Sequence, residues 1–123
     1  MDVKSYKDLM VWQRAVDLTV EIYKLVKRLP KEEIYALSSQ MRRAAISIPS
    51  NIAEGHERKS TKEYINFISF AQGSKAELET QLLLCVKLDY LTEQETLPAY
   101  GLLSEIGKML TTLTQTLIPK TTT

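Results

Sequence analysis

Apolar residues recur at helical spacing along most of the chain, and this pattern predicts four helices. The predicted helices are Lys7–Leu29, Glu32–Gly55, Thr61–Asp89 and Glu93–Leu117. Because the connections between them are short, neighbouring helices are expected to pack antiparallel. The pattern therefore predicts an all-α fold, an antiparallel up-down four-helix bundle over residues 1–119, followed by a frayed C-terminal tail over residues 120–123.

The first predicted helix carries more apolar surface than the core of a single bundle needs. One apolar stripe reads Trp12, Val16, Thr19, Tyr23 and Val26, and the adjacent one reads Val11, Ala15, Leu18, Ile22, Leu25 and Leu29. Residues 82–86 of the third helix are apolar on every side. Both features predict burial between subunits. The oligomer interface is expected at Leu18, Ile22, Leu25, Leu83 and Val86.

The second predicted helix contains Pro49, which removes one backbone hydrogen bond. Apolar residues keep their helical phase on both sides of it, from Ile34 onward, and this favours one kinked helix over two helices. The polar residues expected to satisfy the freed backbone groups are Ser47, Ser50 and Asn51. Gly55 is predicted to close the helix in the left-handed conformation.

Two segments carry the pattern of a capping box, in which a hydroxyl and a glutamate satisfy each other's backbone amides. Ser60 with Glu63 predicts the start of the third helix, and Thr92 with Glu95 predicts the start of the fourth.

Charge and composition exclude several classes of protein. The net charge is +1, from 16 basic and 15 acidic residues, so bulk electrostatics do not argue for nucleic-acid binding. Cys85 is the single cysteine, so no intrachain disulfide forms. The N-terminal segment lacks the apolar region of a signal peptide, and no apolar run is long enough to span a membrane. We therefore expect a cytoplasmic protein with no membrane partner.

Catalytic signatures are missing from the sequence. It holds no glycine-rich phosphate loop and no nucleophile elbow. His56 with Glu54 and Glu57 could bind a metal, but a solvated loop histidine is favoured because the cluster is incomplete. Cys85 lies in an apolar stretch, where thiols are usually inert core residues. The prediction is no enzyme, no cofactor and no metal.

Five cations flank the end of the second predicted helix and are the candidate phosphate contacts: Arg42, Arg43, Arg58, Lys59 and Lys62. In a monomer an ordinary solvated helix face is favoured, because Glu54, Glu57 and Glu63 interleave with them. A symmetric oligomer would repeat the cations around its axis and create a multivalent basic surface.

Three segments resemble one family of proteins. Residues 39–55, SQMRRAAISIPSNIAEG, resemble the hallmark of the four-helix-bundle proteins encoded in 23S rRNA intervening sequences. Lys7–Leu9 with Val11–Gln13 is similar to that family's opening, and residues 73–81 are similar to its third-helix motif. The resemblance covers about residues 5–92 and is looser in the fourth helix.

This resemblance implies an up-down bundle and a ring-shaped homo-oligomer, with a pentamer favoured. A similar protein, the accessory variability determinant of diversity-generating retroelements, binds nucleic acid and a reverse transcriptase through such a ring and is more basic. The expected function is therefore a non-catalytic ring that binds RNA, DNA or a nucleic-acid-processing partner. The alternative is a protein–protein scaffold with no nucleic-acid role, which the balanced charge favours.

Overall fold

The computed structural model describes residues 4–122, and within this range the chain forms four α-helices and no strand. The α-helices are α1 (Met10–Val26), α2 (Leu37–His56), α3 (Thr61–Lys87) and α4 (Glu93–Leu117). Short 3-10 segments lie at Tyr6–Asp8, Lys31–Glu33 and Ile118–Thr122. The predicted all-α class is confirmed. Residues 1–3 of the predicted bundle and residue 123 of the predicted tail lie outside the described residues.

Buried apolar side chains from all four helices form one core. Helix α1 contributes the second of its two predicted stripes to this core. Of the first stripe, Val26 is buried and Tyr23 is exposed, while the other three residues are half-buried. Within residues 4–122, α1 contacts α2 and α4, and α3 also contacts α2 and α4. The core is thus enclosed by helices that each touch two neighbours.

Side-chain contacts fix the register of neighbouring helices. The Arg14 guanidinium lies 3.0 Å from the Glu105 carboxylate, and the Arg28 guanidinium lies 2.8 Å from that of Glu95. Residue numbers therefore rise along α1 as they fall along α4. The same opposite order holds between α2 and α3, where the Ser47 and Ser74 hydroxyls are 2.8 Å apart and the Met41 and Cys85 sulfurs 3.5 Å apart.

Helix α2 begins five residues later than predicted, at Leu37 rather than Glu32. Ala36 has φ −122° and ψ −104°, which breaks the helical path. The Glu33 carboxylate accepts the Leu37 backbone N–H at 3.3 Å and so satisfies one donor of the first turn. Ile34 lies before this start and is 43% exposed, so the prediction that the apolar face of α2 begins at Ile34 is wrong.

Pro49 lies inside α2, and the helix continues through it as predicted. Because Pro49 has no N–H, the carbonyl of Ala45 loses its helical donor. The Thr19 hydroxyl of α1 takes that place at 3.1 Å, and it also lies 2.9 Å from the Ala15 carbonyl. The predicted serine and asparagine donors act elsewhere: Asn51 Nδ2 donates to the Ser47 carbonyl at 2.7 Å.

Gly55 does not adopt the predicted left-handed conformation. Helix α2 runs on to His56, and no glycine of the described chain has a positive φ. Gly55 is buried, and a Cβ at this position would lie 2.7 Å from Cβ of Phe67 and 3.0 Å from Cδ1 of Tyr64. The residue is therefore small because α3 passes close to it.

Local hydrogen bonds define both ends of α3 and the start of α4. The predicted box at Thr92 is confirmed, because Thr92 and Glu95 exchange both hydrogen bonds. At Ser60 only the hydroxyl bond to the Glu63 N–H forms. Helix α3 ends two residues before the prediction, where Asp89 takes a φ of 62°. The Tyr90 N–H donates to the Cys85 carbonyl at 2.8 Å and the Asp89 N–H to that of Val86, which is a Schellman motif.

Candidate nucleic-acid interface

The five predicted phosphate contacts fall into two groups rather than one strip. Arg42 and Arg43 lie in the second turn of α2, whereas Arg58, Lys59 and Lys62 lie beyond its end and in the first turn of α3. His56, the last residue of α2, lies fourteen positions after Arg42. At a rise of 1.5 Å per residue the two groups are about 20 Å apart.

Arg42 and Arg43 occupy different grooves of the bundle. Arg42 is half-buried and lines a cavity with residues of α1 and of the α1–α2 connection. Arg43 is exposed and lines a second cavity with Gln40, Ser47 and Glu77. Neither arginine forms an ion pair with another residue of the described chain. Arg42 therefore faces a site without a carboxylate, and Arg43 faces one that holds Glu77.

In the second group, Arg58 contacts an aromatic ring and a carboxylate, whereas the two lysines form no ion pair within residues 4–122. The Arg58 guanidinium lies 4.7 Å from the centre of the Phe67 ring, and its Nε is 3.9 Å from the Glu63 carboxylate. Lys59 and Lys62 are exposed and form no ion pair within residues 4–122. Arg58 is thus partly neutralised, whereas the two lysines remain available to an anion.

The prediction of a subunit interface is wrong for three of its five residues, because these three are not on the surface of the protomer. Leu18 and Ile22 are fully buried in the core of the protomer, and Leu25 is buried beside them. Most apolar residues of the α1 arc are covered within the protomer, by the shared core and by contact with α2. Leu83 is 51% exposed and Val86 is half-buried, so a subunit interface at these two residues remains a prediction.

Comparison with known protein families assigns the chain to one of them. A family model described as 23S rRNA-intervening sequence protein matches residues 7–112. The chain belongs to this family. The resemblance identified from residues 39–55 is thereby confirmed, and all five candidate phosphate contacts lie inside the matched region.

A solved structure supports the fold of this 23S rRNA-intervening sequence protein. It is similar to a protein of unknown function from the S23 ribosomal protein family of Bacteroides thetaiotaomicron, with 26% sequence identity and a TM-score of 0.79. The alignment covers 85% of this chain and 98% of the other. Among curated protein sequences, none is significantly similar to this chain.

The single histidine of this 23S rRNA-intervening sequence protein is not the solvated loop residue that was expected. His56 is the last residue of α2, and its half-buried ring meets Tyr64 edge to face at 5.8 Å. Its Nδ1 is 4.0 Å from the Glu57 carboxylate and has no hydrogen-bond partner among the described residues. Within residues 4–122, no three histidine, cysteine, aspartate or glutamate side chains form a group able to hold a metal ion.

The thiol of this family member is held in its protonated form. Cys85 is fully buried, and its Sγ lies 3.5 Å from the sulfur of Met41. Burial, together with the charge of Glu33, raises the pKa of Cys85 to about 11. A nucleophilic role needs the thiolate, so the structure agrees with the predicted inert core residue.

The cavity that Arg42 lines contains residues that sequence reasoning missed. Lys27 and Lys31 line it from the end of α1 and from the α1–α2 connection, and Tyr23 adds an aromatic ring. Tyr23, a member of the first apolar stripe of α1, is 39% exposed. The available signal was the clustering of Lys27, Arg28 and Lys31 around Pro30, but that stretch gave no indication of which helix it would face. None of the described helices is long and apolar enough to cross a membrane.

Proposed function

We propose that this protein is a non-catalytic, antiparallel up-down four-helix bundle that assembles into a ring-shaped homo-oligomer and binds nucleic acid or a nucleic-acid-processing partner. The observation that carries this proposal is that four of the five candidate phosphate contacts, Arg42, Arg43, Lys59 and Lys62, form no ion pair within residues 4–122. A chain with a net charge of only +1 keeps these charges unneutralised on α2 and at the start of α3. Symmetry would repeat them around the ring and add their weak phosphate contacts.

Exposed leucines support the assembly. Leu83 and Leu84 lie in the last two turns of α3 and Leu88 directly follows the helix, and each of the three is about half exposed in the protomer. Clustered apolar residues on one helix end are typical of a surface that another molecule covers. We place Leu83 and Val86 in the subunit interface of a homo-oligomer, with a pentamer as the favoured state.

Light scattering coupled to size exclusion tests the assembly. The wild-type chain is expected as a homo-oligomer, and Leu83→Glu should shift it to a monomer because a charge would be buried without a partner. Leu97→Glu is the matched control, because Leu97 is similarly exposed but lies on α4. A compact wild-type monomer at working concentration contradicts the ring.

Titration with single-stranded RNA and DNA over a series of salt concentrations tests the binding. Each phosphate contact to a single strand contributes about 0.7 to the salt slope. Arg42→Ala with Arg43→Ala should therefore reduce the slope by about 1.4 for every protomer that engages the strand. Lys87→Ala with Lys108→Ala removes the same charge from α3 and α4 and should leave the slope nearly unchanged. Equal effects of the two double variants, or no association at low salt, would refute nucleic-acid binding.

A second candidate function is a protein–protein scaffold, and the leucines at the end of α3 favour it. This function needs no cation at Arg42 or Arg43. Affinity capture from nuclease-treated extract separates the two functions. A specific protein partner retained after nuclease treatment, lost with Leu84→Glu and kept with Arg42→Ala, supports the scaffold.

A further inference from the structure

The α1–α2 cavity combines positive charge with an apolar wall at one end of the bundle. Its volume is about 470 Å³, which lies in the size range of small-molecule sites. Lys27, Lys31 and Arg42 line it, and among the described residues no aspartate or glutamate does. None of these three cations forms an ion pair within residues 4–122. Three positive charges therefore face one cavity without a counter-charge from the chain.

Two acidic residues, Glu32 and Glu33, lie on the connecting segment, and neither lines the cavity. One oxygen of Glu33 accepts the Leu37 backbone N–H at 3.3 Å, and the other accepts the Tyr90 hydroxyl at 2.8 Å. Both contacts direct this carboxylate toward α3 and the start of α2. No carboxylate of the described residues therefore lines the cavity.

Ser38 adds a polar group to the floor of the cavity. The residue is 3% exposed, lines the cavity, and its hydroxyl has no hydrogen-bond partner in the described chain. It lies in the first turn of α2, where backbone N–H groups lack a carbonyl one turn earlier and carry partial positive charge. A hydroxyl without a partner beside cationic side chains offers a further hydrogen bond to phosphate oxygens.

Apolar side chains also line the cavity. Tyr23 and Ile34 are partly exposed, and Val26 and Leu29 are buried. An aromatic side chain beside aliphatic residues provides a surface on which a nucleobase stacks. The lining thus combines cationic side chains that suit a phosphate with an aromatic ring that suits a base.

We infer that the α1–α2 cavity binds a nucleoside monophosphate, with the phosphate at Lys27, Lys31 and Arg42 and the base on Tyr23. A phosphate monoester carries about −1.5 to −2 charges near neutral pH, against −1 for the internal diester of a strand, so three cations favour the monoester. The ligand is either a free nucleotide or the phosphorylated end of a single strand. The second source rests on the proposed nucleic-acid function, whereas the first does not.

Fluorescence anisotropy with the full chain tests this inference. The probes are two short single-stranded RNAs of one sequence, labelled at the 3′ end and carrying either a 5′-phosphate or a 5′-hydroxyl. Adenosine monophosphate serves as a competitor and, in calorimetry, as a ligand alone. The 5′-phosphate strand, free adenosine monophosphate or both should bind the wild-type chain, and Lys27→Gln with Lys31→Gln should weaken that binding at least about tenfold.

Matched variants separate the site from general charge and folding effects. Lys87→Gln with Lys108→Gln removes the same charge outside the cavity and should change affinity less than about twofold. Tyr23→Ala should weaken binding at least about fivefold while Tyr23→Phe retains it, because stacking needs the ring and not the hydroxyl.

The outcomes distinguish this inference from the proposed function. Binding of adenosine monophosphate without binding of either RNA supports a free nucleotide as the ligand and removes the nucleic-acid proposal. Preference for the 5′-phosphate strand supports the strand end. Equal binding of both RNAs, unaffected by the lysine variants and not competed by adenosine monophosphate, overturns the cavity inference and leaves the proposed function standing. Absence of binding by all three probes overturns the cavity inference and RNA binding by this protein, and leaves a nucleic-acid-processing partner as the remaining form of the proposed function.

Discussion

Replacing Gly55 with alanine separates a glycine kept for space from one kept for backbone freedom. In the interior of a helix this change ordinarily stabilises a protein by about 1 kcal/mol, because alanine loses less conformational freedom on folding. Gly55 lies inside α2 with no positive φ, so its backbone would accept the substitution. The added methyl group, however, would lie 2.7 Å from Cβ of Phe67.

The size of the effect follows from which atoms would have to move. Cβ of Phe67 is attached directly to the backbone of α3, so no side-chain rotation relieves the contact. Forcing such a shift in a packed interior costs typically about 1–3 kcal/mol. After the gain in helix propensity, Gly55→Ala should lower the free energy of unfolding by between about 0 and 2 kcal/mol.

Two glycines of the same chain provide controls. A Cβ at Gly73 in α3 or at Gly101 in α4 would meet nothing within 4 Å, so alanine at either position should stabilise by about 1 kcal/mol. Urea and thermal unfolding followed by circular dichroism, at one protein concentration, measure all three variants. Gly55→Ala should melt below both controls, with about 4 °C for each kcal/mol of difference. If Gly55→Ala stabilises as much as the controls, the reasoning from close approach is wrong.

Three further predictions concern a hydroxyl, a thiol and a carboxylate. Thr19→Val leaves the Ala45 carbonyl without its donor and should lower the free energy of unfolding by about 1–3 kcal/mol. Thr19→Ser keeps the hydroxyl and should lower the free energy of unfolding much less. Equal losses for the two variants would contradict the hydrogen bond. The pKa of Cys85 rises from 9.0 to about 11, so its thiolate population near neutral pH is about 100-fold smaller than that of an ordinary thiol. Folded protein should therefore react with a disulfide reagent at least about 100-fold more slowly than urea-unfolded protein. Equal rates would refute burial of the thiol. The backbone N–H of Thr92 donates to the Glu95 carboxylate and lowers the pKa of Glu95. The stability that this hydrogen bond adds is present above the ordinary carboxylate pKa and is lost as pH falls through the lowered pKa. Glu95→Gln should therefore destabilise the protein near neutral pH but not in strong acid, and a loss of stability independent of pH would contradict this.

Sequence reasoning succeeded where a helix end depends on adjacent residues. The capping box at Thr92 placed the start of α4 at Glu93, and periodicity placed its end at Leu117. It failed where a distant segment decides. Helix α2 begins at Leu37 because the preceding segment turns and Glu33 satisfies its first turn, and Gly55 is small because α3 passes close by. Neither contact is visible in the local sequence.

The candidate site was predicted as a set of residue types but not as an arrangement. Arg42 and Arg43 were identified from their charge, yet the 100° turn between successive helix residues directs them into different grooves. Lys27 and Lys31 were missed because they join Arg42 only when α1 and α2 pack together. The assignment of Leu18 to a subunit interface failed because sequence pattern measures apolar width and not which neighbour covers it.

The side-by-side packing of α1 and α4 has a practical consequence for the design of experiments. Leu9 and Met10 share a cavity with Leu113 and Thr116, so both ends of the described chain emerge at the same pole of the protomer. An affinity tag or a surface tether at either terminus would project beside the α2–α3 loop and leave the pole that holds Arg42 unobstructed. A circular permutant, with the two termini linked and the chain reopened between α3 and α4, would retain every helix pairing.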